Sequence, residues 1–171
     1  MEPLKTDLNL QSESKLASNA LRWIISVFQK HHVDYQITGG LAAKIYGATR
    51  PLVDIDIDLS NESIKIIMDD IKPFLIYGPT RYQDEQWDIL LLTLDYDGQL
   101  IDISGADDGL IYDKAKKEWV KCNVNFSIAI KKYVDDIPVS IINKNDLIKY
   151  KSELKRDIDL IDLAAITNNP R

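Results

Sequence analysis

The stretch ITGGLAAKIYGATRPLVDIDIDL, residues 37–59, joins a glycine turn to an acidic strand and decides the fold. Apolar and polar residues alternate up to Thr38, which predicts a strand, and Gly39 and Gly40 end it. A short run of good helix formers follows. Over 52–59 aliphatic and aspartate residues then alternate, so this second strand is predicted to turn one face to the core and to carry a row of carboxylates on the other.

The rest of the chain predicts further helices and strands around this stretch. A helix is expected after Ser12 or Ser14, a second after Ser60 or Asn61, and a short strand from Phe74 to Tyr77 before a loop at Gly78-Pro79. The pattern also predicts a hairpin of Asp88–Leu94 with Gln99–Ser104, a strand from Ile137 to Ile142, and helices over Asp146–Leu154 and Asp157–Ile166. Residues 105–118 are polar and have no clear assignment.

Length and composition indicate one folded domain over residues 1–171, with a flexible arm over 1–11. Hydrophobic residues make up 45% of the chain and charged residues 28%, and the net charge is −6, which argues against non-specific binding to a phosphate backbone. The single cysteine, Cys122, excludes an internal disulfide and a thiolate zinc site. The absence of a leader and of long apolar runs predicts a cytoplasmic protein without membrane contact.

The acidic strand is a candidate site for a divalent cation. Asp54 and Asp56 are separated by about 6.6 Å along a strand, so their carboxylates can lean toward one point. Hard oxygen ligands of this kind suit Mg²⁺ or Mn²⁺. The alternative is an edge strand with a solvated acidic face, which is the more common explanation of an isolated Asp-x-Asp.

A family resemblance favours the metal site. Ile37-Thr38-Gly39-Gly40, thirteen intervening residues and then Asp54-Ile55-Asp56-Ile57 resemble the DNA polymerase β-like nucleotidyltransferase superfamily. The stretch 46–51 is similar to its small bacterial branch, which includes antibiotic adenylyltransferases and toxin-type nucleotidyltransferases, although Leu52 departs from the Thr or Ser often found there. Segments within 137–162 are similar to the closing helices of that branch. The resemblance implies an α/β (α+β) fold with a mixed β-sheet flanked by helices and a short C-terminal helical segment.

The resemblance also implies the catalytic and metal-binding residues. It places the metal pair on Asp54 and Asp56, and it requires a third acid on a neighbouring strand, for which Asp102 is preferred over Asp88. Asp58 is then expected to be a solvated residue at the strand end or a charge at the start of a helix.

Nucleotide contacts are expected at the glycine turn. Without side chains, Gly39 and Gly40 allow the backbone to approach a triphosphate, and their N–H groups with the following helix N-terminus form an anion site. Thr38 adds a hydroxyl there. Arg50 and Lys44 are weaker candidates for phosphate contact. The family resemblance suggests Lys151 as a better candidate for the same contact. Asp159 and Asp162 are expected to pin a helix.

The resulting hypothesis is an enzyme that uses two Mg²⁺ or Mn²⁺ ions to move a nucleoside monophosphate, most often AMP in this branch, from a nucleoside triphosphate to a hydroxyl acceptor. The acceptor is an unidentified small molecule, protein or RNA, and residues 105–171 or a second subunit of a homodimer would help to bind it. The alternative is a catalytically silent binding or regulatory module, such as a toxin–antitoxin component. Transfer onto tRNA would require a basic patch formed by Lys114, Lys116, Lys117 and Lys121.

Overall fold

The computed structural model describes residues 5–170, which form a mixed sheet with helices on both faces. The helices are α1 (Leu10–Glu13), α2 (Lys15–His31), α3 (Gly39–Ile45), α4 (Asn61–Ile71), α5 (Lys144–Leu154) and α6 (Asp157–Thr167). The strands are β1 (Tyr35–Thr38), β2 (Asp54–Leu59), β3 (Leu75–Gln83), β4 (Trp87–Tyr96), β5 (Gln99–Gly105), β6 (Leu110–Asp113), β7 (Glu118–Lys121), β8 (Ile130–Val134) and β9 (Ile137–Ile141).

The strand order places the acidic strand in the middle of the sheet. The order is β7-β6-β4-β5-β2-β1-β9-β8, with β3 paired to β4 outside this path. Strand β2 runs antiparallel to β1 and parallel to β5, so its backbone is hydrogen-bonded on both sides. This arrangement confirms the mixed α/β fold and rules out the edge-strand explanation of the aspartate row.

The core lies between β2, β5 and the helices on one face of the sheet. Ile55 and Ile57 of β2 and Ile101 of β5 are fully buried or nearly so, and α2 and α4 pack against this side. The serines predicted to start these helices do so: Ser14 Oγ accepts a hydrogen bond from the third backbone N–H of α2, and Ser60 Oγ does the same for α4. Helices α3, α5 and α6 contact one another on the opposite side. Among residues 5–170, no helix combines the length and apolar character needed to cross a membrane.

The flexible arm expected over residues 1–11 is wrong from Thr6 onward. The backbone N–H groups of Asp7 and Leu8 donate to the carbonyl of Tyr133 on β8, and Leu10 is completely buried. This segment is held in place because its backbone pairs with β8, a strand that the sequence pattern does not reveal. Residues 1–4 of the predicted arm lie outside the described residues.

Two further expectations are corrected in the sheet. The strand predicted to end at Tyr77 continues as β3 to Gln83, because a register shift between Tyr77 and Thr80 accommodates Gly78-Pro79 without ending the pairing with β4. The unassigned segment 105–118 contains β6, and β8 was not predicted. The hairpin β4–β5 is confirmed, with Asp97 and Gly98 at its turn, both with positive φ.

Candidate functional site

Three carboxylates converge on one face of the sheet. In the parallel pair β2–β5, Asp56 lies opposite Asp102, and Asp54 is two residues away on the same side of β2. One carboxylate oxygen from each of the three residues lies within 4.8 Å of the other two. The competing residue Asp88 lies elsewhere and pairs with Arg81. The structure therefore brings together the three acids expected to act as a group.

Electrostatic repulsion in this cluster is strong. Burial, followed by the charges of Asp54 and Asp102, raises the pKa of Asp56 to about 7. Burial, followed by the charge of Asp102, also raises the pKa of Asp54. One oxygen of Asp102 accepts a hydrogen bond from Thr93 Oγ1 at 2.6 Å, which orients the carboxylate. Converging, mutually repelling oxygen ligands are the donor set that a hard divalent cation neutralises, so these residues fit Mg²⁺ or Mn²⁺.

Asp58 differs from its expected role. It was expected to be solvated or to start the next helix, but Ser60 caps that helix and Asp58 lines the same cavity as the three acids. Gln36 Nε2 donates a hydrogen bond to it at 2.9 Å, and burial raises its pKa to about 6. The reason is the strand length: β2 continues past Asp58, so the side chain keeps the orientation of Asp56.

The glycine turn lies against the acidic cluster. Helix α3 begins at Gly39 itself, earlier than predicted, and Gly39 has a φ of +59°. A Cβ at this position would lie 2.0 Å from Asp56 Oδ2, so only glycine allows the turn to approach the carboxylate so closely. At Gly40 a Cβ would lie 2.9 Å from Arg50 Nη2. Thr38 precedes the turn and lines the cavity without a side-chain capping bond.

The candidate phosphate-binding cations are held in an ion-pair network. Arg50 donates from Nε and Nη2 to both oxygens of Asp162, at 2.7 and 2.9 Å. Lys151, whose side chain is 1% exposed, lies 2.9 Å from Asp162 and 3.3 Å from Asp159. Both acids are completely buried, which confirms that they pin a helix, since they connect α6 to α5 and to Arg50. The charge of Lys151 still acts on the acidic cluster, where it lowers the pKa of Asp56.

Lys44 has no access to a ligand in this arrangement. Its Nζ donates to the carbonyl oxygen of Arg50 and pairs with Glu13, and its side chain is 3% exposed. Burial therefore contradicts the weak expectation of a phosphate contact. Of the four lysines considered as a basic patch for RNA, Lys114, Lys116 and Lys117 are exposed on the turn between β6 and β7, and Lys121 lies at the end of β7. Only Lys121 lines the cavity.

The acids and the glycine turn open onto a cavity of about 470 Å³. The sequence gives no sign of the aromatic part of its wall. The Arg156 guanidinium lies over the Trp87 ring, 4.8 Å from its centroid, and Trp87 Nε1 donates to the Tyr150 hydroxyl at 3.4 Å. Burial raises the pKa of Tyr150 above its ordinary value. These residues come from β4, α5 and the start of α6, so no local pattern in the sequence connects them.

The chain has the fold of nucleotidyltransferases. A candidate nucleotidyltransferase from Thermotoga maritima matches with a TM-score of 0.64 and 18% identity, over 90% of this chain and 95% of that one. ANT(2'')-Ia, solved in complex with adenylyl-2''-tobramycin, matches with a TM-score of 0.53 and 13% identity over 86% of each chain. An antigenic nucleotidyltransferase-like protein from Paracoccidioides brasiliensis matches with a TM-score of 0.56 and 14% identity, over 90% and 76%. No protein-family model and no curated protein sequence matches the chain.

Proposed function

We propose that this chain transfers a nucleoside monophosphate from a nucleoside triphosphate to a hydroxyl group and releases pyrophosphate. The observation that carries the proposal is the convergence of Asp54, Asp56 and Asp102 within 4.8 Å beside a glycine turn, in a chain with the nucleotidyltransferase fold. Because one structural neighbour was solved with an adenylylated compound, ATP is the first donor to test.

The three acids are the residues that would hold the divalent ions. Two Mg²⁺ or Mn²⁺ ions bound there would neutralise the triphosphate and lower the pKa of the attacking hydroxyl. The support for this assignment is the chemistry of the donor set: three carboxylates converge, and two of them have raised pKa values that reflect burial and repulsion.

The protein's own groups bind, orient and accept a proton. The backbone N–H groups of Gly39 and Gly40 face the anionic phosphates, and Thr38 supplies a nearby hydroxyl. The acceptor oxygen attacks the α-phosphorus, the bond from that phosphorus to the bridging oxygen breaks, and pyrophosphate leaves with the bonding electrons. Asp102, held by Thr93, takes the proton of the acceptor hydroxyl.

Arg50 and Lys151 act mainly through charge. Arg50 borders Gly40 and is anchored by Asp162, so its guanidinium presents its remaining N–H groups next to the proposed phosphate site. Lys151 is enclosed by two carboxylates, so it contributes positive charge behind the site and no direct contact in this conformation.

Labelled nucleotides provide the test. The protein is incubated with Mg²⁺, each of the four α-³²P-labelled nucleoside triphosphates and a cell extract, and the labelled component is identified. We expect label to be transferred by the wild type and not by Asp54→Asn, while Asp88→Asn, outside the cluster, stays active. Metal-dependent nucleotide binding without transfer in any extract would favour the alternative of a silent binding module.

Calorimetry tests the metal requirement separately. Triphosphate binding should require Mg²⁺ or Mn²⁺, because the acidic cluster would otherwise repel the phosphates. Equal affinity in EDTA would contradict the two-metal assignment.

A further inference from the structure

Helix α6 exposes its aliphatic side chains to solvent and buries its acids. Surface helices normally bury their apolar residues, and α2 largely follows this rule. In α6 the buried positions include Asp159 and Asp162, whereas Leu160 and Ile161 are exposed by 51% and 60%. Ion pairs with α5 and with the segment before β2 hold the two aspartates inside. Turning the helix to bury its aliphatic residues would break these pairs, so the apolar outer face is fixed by the fold.

The exposed aliphatic residues of α6 form one face. Successive residues of a helix are rotated by about 100°, which places Ile161 and Ala164 near the centre of the exposed side. Ile158 and Leu160 lie toward its two edges, and all four residues are exposed. An apolar helix face of this kind is typical of a surface that another protein covers.

The apolar face extends to the mouth of the cavity. Val53, in the segment before β2, is 68% exposed. The ion pair between Arg50 and Asp162 holds this segment beside α6, and Val53 and Ile158 both line the cavity. A protein packed on this face would therefore cover part of the cavity mouth.

The face is complementary to itself when two copies of α6 pack antiparallel. A two-fold axis at Ile161 places Ile158 of one copy opposite Ala164 of the other, because both residues lie three positions from the axis. A large side chain then meets a small one, which lets the two helices approach closely. A parallel pair would instead bring the two Asp157 carboxylates together, and like charges repel.

The distribution of charge favours the same orientation. Within Asp157–Thr167, all of which the structure describes, α6 has two acids in its first turn and no basic residue in its last turn. The partial negative charge at its C-terminal end therefore lacks a cation from the helix itself. Lys155 is exposed, and it lies as many residues before Ile161 as Thr167 lies after it. Antiparallel packing thus places Lys155 of each copy beside the C-terminal end of the other α6.

We propose that this protein forms a symmetric dimer in which α6 packs antiparallel against α6 of a second copy, with the two-fold axis at Ile161. The contact does not depend on the proposed reaction. A helix of 11 residues is about 16 Å long, so the contact is smaller than the roughly 800 Å² per partner of a standard interface. The dimer is therefore weak, with an expected Kd on the order of 10 μM.

Sedimentation of the full chain tests self-association. From about 1 μM to about 200 μM, the wild type should change from mainly monomer to mainly dimer. Ile161→Asp should raise the Kd at least about tenfold, because it places two carboxylates at the axis. Ile76→Asp is the matched control, since Ile76 is 61% exposed but lies on β3, and this variant should dimerise like the wild type. The melting temperature of each variant is measured at the lowest concentration, where the monomer predominates.

Cysteine cross-linking tests the register and remains available if Ile161→Asp fails to fold. Ile161→Cys should form a disulfide-linked dimer under mild oxidation, because the residue faces its own copy across the axis. Ala164→Cys should not, because its two copies are displaced by about 9 Å along the helix, beyond the reach of a disulfide. The wild type, whose only cysteine is Cys122, gives the background.

Each contrary result overturns the proposal. A wild type that stays monomeric at every concentration would show that α6 does not pair with itself, and its apolar face would then belong to a partner of another kind. A dimer that survives Ile161→Asp, or that Ile76→Asp disrupts equally, would place the contact elsewhere. Cross-linking through Ala164→Cys but not through Ile161→Cys would exclude the axis at Ile161. None of these measurements involves a nucleotide, so their outcome is separate from that of the transfer assay.

Discussion

Replacing Asp56 by asparagine should stabilise the metal-free protein while removing its activity. Asp56 lies between Asp54 on its own strand and Asp102 on the neighbouring strand, with an oxygen of each within 4.8 Å. Without a cation the three carboxylates repel one another. Asparagine has nearly the same shape but no charge, so it removes two of the three repulsive pairs.

The size of the effect follows from the geometry. At 4.8 Å, one pair of unit charges repels by about 0.9 kcal/mol at the dielectric constant of water and about 3.5 kcal/mol at an effective value of 20. The two pairs that involve Asp56 therefore amount to roughly 2–7 kcal/mol. Protonation limits this penalty, because Asp56 can take up a proton instead of remaining ionised. Its pKa is raised from the ordinary 3.8 to about 7, so the ionised carboxylate lowers the free energy of unfolding by at most about 4 kcal/mol near neutral pH. After screening by water in the cavity, we expect Asp56→Asn to stabilise the fold by about 1–3 kcal/mol, several degrees in melting temperature.

The pH dependence has a definite sign. Burial, followed by the neighbouring charges, raises the pKa of Asp56 in the folded state, so the wild type loses stability between about pH 4 and pH 7 as this group ionises. The advantage of the variant should therefore be absent near pH 4 and complete above pH 7. Adding Mn²⁺ should reverse the order, because only the wild type retains all three ligands.

Thermal melts of both proteins in EDTA and in Mn²⁺, from pH 4 to pH 8, measure these differences. Asp88→Asn is the control, since it removes an acid that pairs with Arg81 outside the cluster, and it should respond to Mn²⁺ like the wild type. A metal-free Asp56→Asn protein that melts below the wild type at pH 8 would refute the reasoning. It would indicate that the carboxylate is needed for folding and that repulsion is already relieved within the protein.

Three further substitutions test separate parts of the site. Asp102→Asn should lower kcat by orders of magnitude in the labelling assay with little change in the nucleotide Kd, and a comparable loss of nucleotide affinity would contradict its role toward the acceptor. Gly39→Ala should destabilise the fold by more than about 1 kcal/mol in urea titrations, because Gly39 has a positive φ and the added Cβ would meet the Asp56 carboxylate. The displaced carboxylate should also weaken metal binding, and unchanged Mn²⁺ affinity would show that Asp56 can move aside. Asp162→Asn should destabilise the fold by about 3–5 kcal/mol, since it leaves Lys151 with one partner, and a loss below 1 kcal/mol would show that the buried network is not essential.

The acidic strand and the glycine turn were predictable because their patterns are local. Alternation over 52–59 requires only the period of a strand, and Gly39 and Gly40 end a strand wherever they occur. The position of Asp102 is a different matter. Nothing in its spacing shows that β5 pairs in parallel with β2, and the family resemblance, not periodicity, indicated that the third acid lies there.

The incorrect expectations share a physical cause, which is pairing between distant parts of the chain. Asp7 and Leu8 looked like part of a loose arm because their partner, Tyr133, lies on a strand with no strong pattern of its own. Lys44 looked like a surface cation because its burial depends on Glu13 and on the carbonyl of Arg50. Charged side chains are predicted to be exposed unless a partner is known, and their partners here come from other elements.

The net charge of −6 also hides the distribution that matters for recognition. It argues against non-specific binding to a phosphate backbone, yet the cavity that holds Asp54, Asp56 and Asp102 is also lined by cations, among them Arg50, Lys151 and Arg156. Because interactions between exposed charges fade over about 8–10 Å, a ligand experiences the charges of the side chains that it contacts more than the net charge of the chain. Under the proposed function, a metal-bound triphosphate can therefore bind to an acidic protein. Overall charge constrains non-specific binding to nucleic acid, whereas binding of a ligand in the cavity depends on the few side chains that line it.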